Sequence, residues 1–132
     1  MSAAQDFASE SAAVAAAMQR YFDGLHHSDT ALLSTVFHPQ AHYFCATDGS
    51  LLHLDMARYF PLVEKRPSPA SQGHPRHDRI VSMEFAGPVT VFVKAECAIP
   101  PKAFTDFLTL VKLDGEWRIV LKAYDAREPA QP

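Results

Sequence analysis

Asp114-Gly115 separates two runs of alternating side chains, Phe104 to Leu113 and Glu116 to Tyr124. A two-residue Asp-Gly loop turns with the twist of paired strands, so these runs predict an antiparallel hairpin. Upstream, Arg79 to Ala86 and Val89 to Cys97 flank Gly87-Pro88 and read as two more strands. The last third of the chain is thus strand after strand, and it demands a layer to cover one face.

The N-terminal half supplies that layer. Val14, Met18, Tyr21 and Leu25 recur at offsets of four, three and four, one face of a helix that begins near Ser9 and closes at His26-His27. Gly24 weakens its last turns slightly. Ser28 or Asp29 caps a second short helix whose buried side is Leu32, Leu33, Val36 and Phe37. His38-Pro39 stops it, because the residue before proline is pushed out of the α region. Residues 41 to 46 read as a strand, and Asp48-Gly49 turns into a brief one at Leu51 to Leu54. Asp55 caps a third helix with Met56, Tyr59, Phe60 and Val63 on one side, and Pro61 predicts a kink or a break in it. Arg66 to His77, rich in Pro, Ser and Gly, is the long loop.

The expectation is one α+β domain over 9–127, with 1–8 and 128–132 as flexible termini. At 132 residues and 48% hydrophobic content, the chain has enough apolar surface for a single core. A formal net charge of -3, without clustered Lys and Arg, argues against nucleic-acid binding. No run is long enough to span a membrane, and the alanine-rich segment near Ala12 lacks the basic flank of a secretory signal. Cys45 and Cys97, with no CxxC spacing, read as reduced thiols of a cytoplasmic protein, a disulfide between them remaining the alternative. The seven histidines form no metal-ligand pattern, and no HExxH, phosphate loop or GxSxG elbow occurs. No metal and no cofactor are expected.

The element order, with the strings RYFDGLHHSDTALLSTVFHPQA and DGEWRIV, resembles the nuclear-transport-factor-2-like superfamily. FHPQA, RPSP near Arg66 and FTDFLTLVKLDGEWRIVLK resemble its putative lumazine-binding branch. The resemblance, over about residues 12–125, implies a cone-like α+β fold with three helices in the concave face of a strongly curved, mainly antiparallel sheet. It implies little about chemistry, since enzymes and non-enzymatic binders share this fold. Against the ketosteroid isomerases of the superfamily, their first-helix tyrosine falls on Tyr21, their base on Cys45 and their oxyanion-holding acid on Thr109. With both acids missing, steroid isomerisation of that design is excluded.

Counting outward from Asp114-Gly115 places Asp106, Leu108, Leu110, Trp117, Ile119 and Leu121 on one face of the hairpin. Thr105, Phe107, Thr109, Val111, Arg118, Val120, Lys122 and Tyr124 fall on the other. The aliphatic face predicts a homodimer contact through Leu108, Leu110, Ile119 and Leu121. The mixed face predicts a ligand pocket. The resemblance adds Phe92, Lys94 and Glu96 to the inward set, with Tyr43 and Cys45 beside them. The pocket candidates are therefore Tyr21, Tyr43, Cys45, Phe92, Lys94, Glu96, Phe107, Thr109, Lys122 and Tyr124. No catalytic residue is assigned. A Lys122–Glu96 pair could hold a carboxylate or an enolate, or Glu96 could be a structural bridge to Lys94, Lys122 or Arg79. Asp106, on the aliphatic face, faces solvent or a partner subunit in this reading. Three functions follow: a homodimeric binder of an unidentified small molecule, a cofactor-independent isomerase, dehydratase or lyase of an activated carbonyl compound, or an interaction module with a filled cavity.

Overall fold

A computed structural model describes residues 3–128, and side chains from residue 7 onward. Helix α1 spans Ala3–His27, α2 Thr30–Leu33 and α3 Met56–Lys65. The strands are β1 Phe37–Cys45, β2 Leu52–Asp55, β3 Arg79–Phe85, β4 Thr90–Ile99, β5 Lys102–Leu113 and β6 Glu116–Arg127. They form one open, mixed sheet in the order β2-β1-β6-β5-β4-β3, with the helices on one face. All neighbours are antiparallel except β1 and β6, which run parallel.

Helix α1 starts at Ala3, ahead of the Ser9 start expected, so residues 3–8 continue the helix. The segment 129–132, expected to be a flexible end, lies outside the described residues. Val14, Met18, Tyr21 and Leu25 are buried, as their spacing requires. At the far end of α1, Glu10 accepts from Lys112 Nζ at 2.7 Å and from Trp117 Nε1 at 2.9 Å, pinning the helix to β5 and β6. Gly24 has a packing reason: a Cβ there would lie 2.6 Å from Leu33 Cδ2, so α2 closes onto α1 only because this position has no side chain.

Asp29 caps α2 by accepting from Leu32 N, and Asp55 caps α3 by accepting from Arg58 N, both at 3.0 Å. Two boundaries differ from the sequence reading. β1 begins at Phe37, so His38-Pro39 lies inside a strand and not at a helix end. The pairing with β6 is irregular between Phe37 and His42, which is where a proline without an N–H is tolerated. Helix α3 runs through Pro61 as a single element.

The Asp114-Gly115 hairpin forms as predicted. Leu113 pairs with Glu116, and both loop residues have positive φ, 51° and 79°. Further along, the pairing shifts: Leu110 faces Ile119, but Thr109 faces Leu121, and Val120 is the extra residue of a bulge. Trp117 and Ile119 point to the helices before the bulge. After it, the alternation restarts in the opposite phase, and Lys122 and Tyr124 point there too.

Candidate functional site

The bulge decides the site. It brings Lys122 onto the face that carries Asp106, where simple alternation separates them. Asp106 is 0% and Lys122 3% exposed, and the helical layer covers both. Tyr21, projecting from α1, donates its hydroxyl to Asp106 Oδ2 at 2.5 Å. Lys122 Nζ lies 4.0 Å from the same oxygen. Four aromatic rings surround the ammonium: Tyr21 and Tyr124 at 5.1 Å, Tyr43 at 5.4 Å and Tyr59 at 5.8 Å from their centroids. Desolvated cations over aromatic faces are held by the ring quadrupole as well as by the counter-charge.

Burial alone would lower the Lys122 pKa. Asp106, with Tyr59 and Tyr43, outweighs that and holds it above the usual lysine value, so the side chain stays charged. Tyr21 is pushed well above the usual phenol value, first by burial and then by Asp106. The Cys97 thiol, 3.8 Å from Asp106 Oδ2, is pushed up to about 12 by burial and by the same carboxylate. Asp106 Oδ1 is enclosed without a hydrogen-bond partner.

Beside this buried cluster opens a cleft of about 410 Å³, in the size range of small-molecule sites. Tyr43 and Tyr124 line it and also pack on Lys122; their hydroxyls are hydrogen-bonded to each other. Burial raises the Tyr43 pKa, partly offset by Lys122, and pushes Tyr124 up to about 12. Both phenols are therefore neutral at physiological pH. One donates to the other, and the acceptor's own proton is free for a third oxygen. Cys45, Asp48, Arg66 and Phe104 complete much of the wall. Cys45 Sγ contacts Thr47 Oγ1 at 3.3 Å, and Thr47 in turn donates to Asp125 at 3.0 Å. Both cysteines are free thiols.

Of the pocket residues expected from sequence, Tyr43, Cys45 and Tyr124 line the cleft, and Tyr21 and Lys122 lie in the closed core next to it. Phe92, Lys94, Glu96, Phe107 and Thr109 do not belong there. On β4 the inward residues are Val91, Val93, Ala95 and Cys97, so Phe92, Lys94 and Glu96 point to the outer face. Phe92 stacks on Phe107 at 5.3 Å there, with Lys94 over Phe107. Thr109 alternates with the buried Leu108 and Leu110 and shares that outer face. Glu96 pairs with Arg79 at 2.6 Å, not with Lys122.

The dimer assignment is corrected for the same reason. Leu108, Leu110 and Ile119 are fully buried within the chain and form its core under α1. Leu121 lies beyond the bulge and is exposed on the other face. Tyr21 meets a buried acid, Asp106, three residues before Thr109 on β5. Tyr59 is in the core, as its place on the apolar side of α3 predicts, whereas Asp106, expected to face solvent or a partner subunit, is buried within the chain. The available signal for Asp106 was a lone carboxylate in an aliphatic stripe, a pattern that is expensive unless the charge is paired.

Among the described residues, no three His, Cys, Asp or Glu side chains gather as a metal site, and no helix is long and apolar enough to cross a membrane. The chain matches the model of the "Putative lumazine-binding" family over residues 9–125 and belongs to that family. Aldolase FrzH from Cladobotryum sp is 30% identical over 120 residues, covering 88% of this chain and 90% of the relative. Among solved structures, an NTF2-like protein of unknown function from Shewanella baltica OS155 superposes with a TM-score of 0.81 at 22% identity, over 98% of this chain and 99% of the other. A ketosteroid isomerase-like protein from Erwinia carotovora atroseptica SCRI1043 gives 0.69 at 12% identity, over 89% and 96%. These two likenesses carry the NTF2-like fold alone.

Proposed function

We propose that the cleft binds a small organic carbonyl compound and stabilises negative charge on its oxygen, the chemistry of a cofactor-independent carbon–carbon lyase or isomerase. The observation that carries this is the Tyr43–Tyr124 hydroxyl pair at the cleft wall, backed by the buried Lys122 ammonium. A neutral hydroxyl with a fixed cation behind it is a preorganised donor, and such donors act most where charge develops in the transition state. Both phenols stay protonated, so they serve as electrophiles and not as bases. The aldolase relative fits this reading, because an aldol cleavage passes the electron pair of the breaking carbon–carbon bond to a carbonyl oxygen while water in the open cleft takes the β-hydroxyl proton.

The test is cleavage of a fluorogenic β-hydroxyketone that releases a naphthaldehyde. Turnover above buffer is expected, falling about 100-fold in Tyr43→Phe, the effect of removing one oxyanion donor. Absence of turnover, together with absence of saturable binding of the parent ketone, would reject the reading.

A second reading concerns assembly. The outer sheet face carries Phe92, Phe107 and Leu121, 41%, 43% and 39% exposed, which supports a homodimer through this face and not through the aliphatic core. Sedimentation of Phe107→Asp should then shift a wild-type dimer to monomer. A wild-type monomer sinks the idea.

A further inference from the structure

We propose that His42 and His53 form a chelating site for a late divalent transition-metal ion on the outer face of the sheet. Neither histidine lines the cleft, so the site is independent of the carbonyl chemistry.

The pairing of β1 with β2 builds it. His42 sits opposite Asp55 and Phe44 opposite His53, so the two histidines are diagonal neighbours across the antiparallel ladder. Aromatic side chains on such a diagonal reach each other. Ala41 and Tyr43 flank His42 and are buried under the helices, which turns the His42 imidazole outward. His53 is exposed on the same face. His42 Nδ1 and His53 Nε2 stand 2.8 Å apart. The Phe44 ring braces both: it stacks on His53 at 4.6 Å with a tilt of 10°, and on His42 at 6.3 Å. The imidazoles are thus held close together before any ion arrives, which lowers the ordering cost of binding one.

Imidazole nitrogens are ligands for copper, nickel and zinc. Two metal–nitrogen bonds of about 2.0–2.1 Å meeting at a right angle place the nitrogens about 2.8–3.0 Å apart, against about 3.3–3.4 Å at the tetrahedral angle. The observed separation matches the right angle, the preference of Cu²⁺ and Ni²⁺ in tetragonal or octahedral sites. Without metal, one ring N–H donates to the lone pair of the other ring. Neither ring makes a further hydrogen bond among the described residues, so the donor's proton is free to move to its outer nitrogen and leave two lone pairs turned inward. Small rotations of the two exposed rings then aim both at one ion. Water completes the coordination, since no third His, Cys, Asp or Glu joins the pair among the described residues.

The experiment is calorimetric titration of the tag-free chain with NiCl2. Wild type should take up one equivalent, and EDTA should release it. His42→Gln and His53→Gln should each weaken uptake at least about tenfold, the scale on which changes around a metal alter its affinity. His74→Gln, in the long loop, should match wild type. Both replaced imidazoles are exposed, and circular dichroism of the metal-free variants checks that the fold is kept. No nickel uptake by wild type overturns the site, as does uptake that either single variant retains or an equal loss in His74→Gln. Tighter binding of zinc than of nickel would contradict the right-angle geometry and overturn the assignment of the ion.

Discussion

Both faces of strands β3 to β6 carry ion pairs, and the contrast between Arg79–Glu96 outside and Lys122–Asp106 inside separates distance from energy. On the outer face Arg79 and Glu96 meet at 2.6 Å with side chains 69% and 41% exposed. On the inner face Lys122 and Asp106 stand 4.0 Å apart, yet both are sealed from water. The shorter pair is the weaker constraint. Water solvates the outer charges whether or not they touch, whereas each inner charge depends on the other and on the tyrosines around it.

The largest expected effect follows from the inner pair. Lys122→Met leaves Asp106 buried with no counter-charge and should destabilise the fold by about 3–5 kcal/mol. Adding Asp106→Leu should recover most of that loss, since an apolar pair needs no desolvated partner. Urea unfolding of both variants checks this. A double variant as weak as the single one would mean that packing, and not charge, sets the cost.

Next in size is a pH effect confined to the alkaline side. Tyr21, Tyr43, Tyr124, Cys97 and Lys122 all hold their protons more tightly in the fold than the usual values. The native state therefore binds more protons than the unfolded chain once pH exceeds the unfolded thiol value of about 8.5, and stability falls from there upward. The loss should continue through the unfolded tyrosine and lysine values near about 10. Melting temperatures between pH 7 and 11 measure the slope, and a flat profile would contradict the burial of these groups.

The smallest effect is on the outer face. Arg79→Ala should cost at most about 1 kcal/mol, and less at high salt. A larger loss would show that this face is not solvated, as a subunit contact through Phe92 and Phe107 would require.

The same contrast explains what could be read from sequence. The hairpin was legible because Asp114-Gly115 dictates its own turn, and α1 because Val14, Met18, Tyr21 and Leu25 declare a face. The alternation from Leu113 down to Asp106 and from Glu116 up to Ile119 was also correct. It failed at Val120, where no glycine or proline marks the bulge, and from there every residue of β6 changed sides. The parallel pairing of β1 with β6 was equally hidden, since it joins residues such as Tyr43 and Lys122 that lie far apart in the chain. Reading the aliphatic stripe as a subunit contact was a different error. An apolar face needs cover, and the long α1 supplied it from within the chain. Arg66 left a trace only as a loop residue before proline; its place in the cleft wall depends on β1, β5 and β6 arriving around it.

The strand order has a consequence for how the protein is made. β6 follows the other five strands in the chain but lies third in the sheet, bridging β1 to β5. Until it leaves the ribosome, the first two strands and the last three before it have no common sheet. The apolar stripe of α1 must meanwhile wait without Ile119 and Trp117. The decisive step of folding thus waits for β6, and a nascent chain stalled before residue 116 should be a substrate for chaperones and proteases.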